Sequence, residues 1–187
     1  MAPRVKVTGE TVVNAAVEVV RECGAQALNA RALAARLGCS TQPIFSNFAS
    51  MEELRRAVAQ RAEALCGEYV REETERGEFP PYKAGGMAYI RFAKEERELF
   101  KLLYMCDRSG EPIPEGSELT DQMESLVHRN TGLDGSAVKR FHLEMWAFVH
   151  GIAAMLATGF LELDRELIST MLTDAYQGLR RTYQEEE

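Results

Sequence analysis

Apolar residues recur every three or four positions along nearly the whole of this chain. No stretch alternates apolar with polar residues long enough to read as a strand. Val12, Val13, Ala16, Val17 and Val20 make one such stripe, and Leu167, Ile168, Met171, Leu172, Ala175, Tyr176 and Leu179 make another. A period near 3.6 over 187 residues, 45% of them apolar, predicts an all-α protein with enough apolar surface for a real core. Between Glu144 and Glu162 lie seventeen uncharged residues, but His150, Gly151, Thr158 and Gly159 interrupt them. A bilayer span takes about 20 predominantly apolar residues, so the stretch reads as a helix covered on several sides in a chain with no membrane partner.

The helix ends can be placed from capping chemistry. The first helix ends at Gly24. Asn29 caps a short second helix that runs through Leu37 and stops at Gly38, and Ser40 caps a third with Pro43 in its first turn. Ser50-Met-Glu-Glu53 has the capping-box spacing and opens a long fourth helix to about Arg76. Gly77-Glu-Phe-Pro-Pro81 breaks it. Further helices follow at about 82–94, 96–106, 117–130, 135–159 and 164–183, with the longest irregular piece at 107–116.

Charge divides the chain. Residues 1–56 carry seven Lys and Arg against five Glu, a balance of +2, and the remainder carries −9. A mildly basic head on an acidic body suits a nucleic-acid reader with a separate second domain. Cys23, Cys39, Cys66 and Cys106 lie far apart without a C-x-x-C pair, and residues 1–7 lack an apolar signal core. Both features predict reduced thiols and a cytoplasmic location.

Two short helices joined by Gly38-Cys39-Ser40 have the layout of a helix-turn-helix. The third helix would turn Thr41, Gln42, Ser46 and Asn47 outward, with Ile44 and Phe48 inward. Short polar side chains suit the major groove, where Gln can bond adenine through two hydrogen bonds. A plain helical hairpin with a solvated face would show the same spacing.

The runs Ala15–Gly24, Arg31–Phe48 and Ser50–Leu54 together resemble the N-terminal domain of the TetR family of transcriptional regulators. The likeness covers roughly residues 8–56. Trp146-Ala-Phe-Val-His150-Gly151 is similar to a Trp/His/Gly signature of one branch of the family's regulatory domains. The resemblance implies a homodimeric, ligand-responsive repressor. A helix-turn-helix DNA-binding domain (1–50) would precede a helical-bundle ligand-binding and dimerisation domain (51–187). It places Arg31, Ser40, Thr41, Gln42, Phe45, Ser46 and Asn47 at the duplex, with Arg4 and Lys6 on an arm. The family commonly has Tyr at Phe45 and Lys at Met51, both phosphate contacts. Their loss predicts weaker binding and a flatter salt dependence.

In the body, Gly151, Ala154 and Met155 on one helix and Ile168, Met171, Leu172 and Tyr176 on the next predict a two-fold dimer face, unless they pack within one chain. Met87, Phe92, Phe100, Leu103, Tyr104, Met123, Trp146 and His150 are the candidate lining of an apolar effector pocket. The same residues would serve equally as plain core. His142, Trp146 and His150 share one helix face, where a histidine orients a ligand or bonds a neighbour. Metal-ligand spacing, cofactor motifs and catalytic constellations are not found. The expected partners are double-stranded DNA, a small-molecule effector and a second copy. The alternative is a ligand-binding helical dimer whose DNA binding has weakened or been lost.

Overall fold

The computed structural model describes residues 7–106 and 118–185, and within them every regular element is helical. The expected arm at Arg4 and Lys6 and the irregular piece from 107 to 116 lie outside the described residues. The helices are α1 (Gly9–Cys23), α2 (Ala30–Leu37), α3 (Gln42–Asn47), α4 (Met51–Glu75), α5 (Pro81–Glu95), α6 (Arg97–Tyr104), α7 (Glu118–Thr131), α8 (Gly135–Ala157) and α9 (Arg165–Glu185). A single 3-10 turn sits at Ala25–Ala27. The described residues form two packing units.

The first unit, the head, holds the residues up to Leu65 and those from Glu96 to Cys106. The α1 stripe is buried at Val12, Ala16, Val17 and Val20. Leu33, Ile44, Leu54 and Val58 complete a dry core, each side chain worth about 1.5–3 kcal/mol of burial. Asn29 caps α2 as expected, its Oδ1 accepting from the N–H groups of Arg31 and Ala32 at 3.1 and 3.0 Å. α2 closes at Gly38 in the left-handed region (φ 62°), where Gly38 and Cys39 return N–H bonds to Ala35 and Ala34.

One cap differs from expectation. Thr41, not Ser40, occupies the N-cap of α3, because its carbonyl takes the first helical bonds from Ile44 and Phe45. Ser40 sits one residue too early to meet them. At α4 the capping box forms with a shift: Ser50 Oγ accepts from Glu53 N–H, while the Glu53 carboxylate accepts from Ala49 N–H.

α6 belongs to the head through a buried face of Leu99, Phe100 and Leu103, and it packs on α1. Arg21 of α1 holds Glu96 by two hydrogen bonds of 2.8 Å and also pairs with Glu18.

The second unit, the body, holds Cys66–Glu95 and the residues from Glu118 onward. α5 is its hub and packs on α7, α8 and α9. Two glycines let neighbours approach: a Cβ at Gly85 would lie 2.9 Å from Met123 Sδ, and one at Gly86 would lie 3.3 Å from Leu172. Phe141, Ile152 and Leu156 are buried between the helices. The body also buries a carboxylate. Glu73 is 0% exposed, accepting from Arg165 and Arg76, with Arg91 Nε 3.8 Å away. Arg91 in turn bonds Glu72 at 2.8 Å and lies over the Tyr69 ring. Among the described residues no helix is long and apolar enough to cross a membrane.

Candidate nucleic-acid interface

The α2–turn–α3 segment presents its residues much as the spacing predicts. Ile44 is fully buried and Phe48 half-buried, while Gln42, Phe45, Ser46 and Asn47 are exposed on α3. Exposure does not make them equivalent. Ser46 Oγ donates to the Gln42 carbonyl at 2.9 Å, and Asn47 Nδ2 donates to the carbonyls of Pro43 (2.7 Å) and Val7 (3.3 Å). Asn47 thus fastens α3 to Val7, just ahead of the α1 N-cap Thr8. Gln42 keeps its amide outside any hydrogen bond among the described residues. Ser40 is exposed, and Thr41 is half-buried without a side-chain capping bond.

Several cations in the head are held by acids. Arg36 grips Glu22 through two bonds of 2.6 and 2.8 Å, which holds the Glu22 carboxyl below its usual range. Arg56 pairs with Glu52, and Arg55 donates to the Leu28 carbonyl. Among the described residues no carboxylate holds Arg31, which is exposed in the first turn of α2. Met51, half-buried, opens α4.

The residues expected to line an effector pocket divide between the two packing units. Phe100, Leu103 and Tyr104 belong to the head; Met87, Phe92, Met123, Trp146 and His150 belong to the body. Met87 and Phe92 are packed in the core. Trp146 is exposed and stacked on His150, with ring centroids 4.9 Å apart. His150 Nδ1 meets the Tyr89 hydroxyl at 3.0 Å, and His142 Nδ1 meets that of Tyr82 at 3.1 Å. Two tyrosines on α5 thus match two histidines on α8 across one seam. Reading α8 alone could not find those partners. Burial holds both imidazoles below the usual histidine range, with Glu124 acting against it at His142. A cleft of about 420 Å3 opens in the head, lined by Thr11, Asn14, Ala15, Val17, Glu18, Arg21, Leu37, Arg61 and Leu65.

The body's expected dimer residues also divide. Gly151 is exposed, and Ala154, Met155, Met171 and Tyr176 are half-buried. Ile168 and Leu172 are only 5% and 3% exposed, because they pack within the chain. The exposed apolar surface instead includes Leu143, Trp146 and Phe148 on α8, Phe160 and Leu161 after it, and Leu167 on α9. A sequence signal existed: Leu143, Ala147, Gly151 and Met155 recur at four-residue steps. A Cβ at Gly151 would meet nothing within 4 Å.

Known proteins place this arrangement. The model of bacterial regulatory proteins of the tetR family matches residues 12–58. That of the tetracycline-repressor-like C-terminal domain matches residues 82–176. A structure of a protein of unknown function from Rhodococcus sp. RHA1 superposes with a TM-score of 0.68 at 22% identity, over 97% of this chain and 98% of that one. A TetR-like transcriptional regulator from the same organism gives 0.67 at 20%, over 96% and 98%. A TetR family protein from Vibrio parahaemolyticus gives 0.63 at 19%, over 90% and 96%. No curated protein matches the chain. The helix-turn-helix head, the all-helical body and the two family models that between them span both lead to one conclusion: the chain belongs to the TetR family of transcription regulators.

Proposed function

We propose that this regulator is a homodimeric, non-enzymatic repressor of the cytoplasm that sits on a palindromic operator and leaves it when an apolar small molecule binds the body. The observation that carries the reading is the surface of α3, where Gln42 stands exposed and unbonded among the described residues. Gln42 reads adenine, and Arg31, with Ser40 and Thr41, meets the phosphates. Asn47 and Ser46 hold α3 in place.

Dimerisation follows from the exposed row on α8 and the apolar residues around Leu167. Two heads must meet grooves about 34–36 Å apart, and a symmetric pair of bodies supplies that spacing. Effector entry opens the packed interior of the body around Met87, Phe92 and Met123, where an unbranched thioether moves easily. Linkage then requires DNA to weaken effector binding by the same factor that effector weakens DNA binding.

A second reading has its own support. Phe45 and Met51 supply no phosphate bond, and Arg21, Arg36, Arg56 and Lys101 are paired with acids, which suits a ligand-binding dimer with weakened DNA affinity. Selection of bound duplexes from a random pool, followed by a salt titration, separates the two. A recovered palindrome supports the repressor. Absence of duplex binding even at low salt supports the weakened dimer.

A further inference from the structure

Single apolar residues on a surface are common, so Phe45 draws notice for its position more than its exposure. It lies one position short of a full turn beyond Gln42, is 48% exposed, and shares the outer side of α3 with Ser46 and Asn47, whose donors go to backbone carbonyls. Gln42 and Phe45 are therefore an adjacent exposed pair on α3 with no side-chain hydrogen bond among the described residues. Their chemistry differs. A primary amide sets one donor beside one acceptor and matches adenine N7 and N6; a bare phenyl ring offers only apolar contact. The apolar feature of the major groove is the 5-methyl group of thymine, and in unmodified DNA thymine is the base that carries it.

We infer that Phe45 is a specificity residue that reads the methyl group of a thymine beside the adenine read by Gln42, so that each half-site contains an A·T-rich step. The inference rests on the DNA-binding reading above. A ring without a hydroxyl cannot donate to phosphate, so Phe45 sets sequence preference and leaves the salt slope unchanged.

The test uses operator duplexes recovered by selection, with deoxyuridine replacing each thymine in turn, which removes one methyl group and nothing else. At one thymine per half-site the full-length chain should bind the deoxyuridine duplex about fourfold more weakly, the worth of one buried methyl, and about fifteenfold when both half-sites are changed. Phe45→Ala should bind thymine and deoxyuridine duplexes alike, and Phe45→Leu should keep part of the difference. Circular dichroism checks that both variants remain helical. Equal binding of the unaltered chain at every thymine overturns the inference while DNA binding itself stands. An equal loss in the unaltered chain and in Phe45→Ala also overturns it, because the effect then lies in duplex shape. Failure to bind any duplex at low salt overturns the regulator reading and the role of Phe45 with it.

Discussion

The head and the body treat apolar surface differently. In the head the large exposed apolar residues are few, and the one on a presenting helix is Phe45. The body leaves Leu143, Trp146, Phe148, Phe160, Leu161 and Leu167 outside while burying the carboxylate of Glu73 inside. Burial of an ion is expensive unless hydrogen bonds and opposite charges surround it, and Glu73 has Arg76, Arg91 and Arg165 around it. These exposed apolar residues are the observation behind the dimer face proposed above. Among the described residues the head leaves Phe45 and Met105 outside, and the body leaves six large apolar residues outside.

The strongest challenge to that contrast is a core truncation. Phe141 is fully buried, edge-on to Tyr176 and Tyr183. Phe141→Ala should cost about 3–5 kcal/mol in urea denaturation. A change under about 1 kcal/mol would mean that the body's interior is looser than it looks.

Next comes the partner surface itself. Gly151→Arg points a charge into open space, so the lone chain should stay helical while self-association weakens by at least about 2 kcal/mol, the scale of an interface hot spot. Sedimentation velocity reads this directly, and an unchanged dimer would move the interface elsewhere.

On the head, Gln42→Ala should weaken operator binding by about 1–3 kcal/mol and leave random duplex untouched. Arg31→Ala should weaken both alike and lower the salt slope by about one. Equal losses on both duplexes for Gln42→Ala would remove it from the reading face.

The smallest effect is expected from pH. His142 and His150 are held neutral by burial, so their folded pKa values lie below that of the unfolded chain, about 6.5. Stability is complete above that value and falls as the pH drops through it, since the unfolded chain then binds more protons. A protonated ring also donates from both nitrogens, and the Tyr82 and Tyr89 hydroxyls must then accept. His150→Asn should shrink the fall in melting temperature between pH 7 and pH 5. An unchanged fall would assign the acid sensitivity to other groups.

Much of the molecule is legible in its residues. Helix positions follow from the apolar period, and the Asn29 cap, the Gly38 stop and the buried Ile44 follow from side-chain size and backbone freedom. The misread cap at Ser40 shows the limit of such signals, because two adjacent hydroxyl residues compete and only the path of the turn chooses Thr41. The candidate site was half legible. Which α3 residues face outward was readable, but that Asn47 is committed to Val7 was not, because the partner lies forty residues away. That the expected pocket residues divide between two packing units was not readable for the same reason: nothing local shows that α6 packs on α1.

Residue order alone therefore settled that the chain is helical, where its helices lie to within a few residues, and that a helix-turn-helix stands near its start. These depend on interactions within one turn of backbone. Only the packed chain decided which donors are already taken, which tyrosine meets which histidine, and which apolar residues stay outside. Those outcomes are set by contacts between segments distant in sequence, and periodicity carries no information about them.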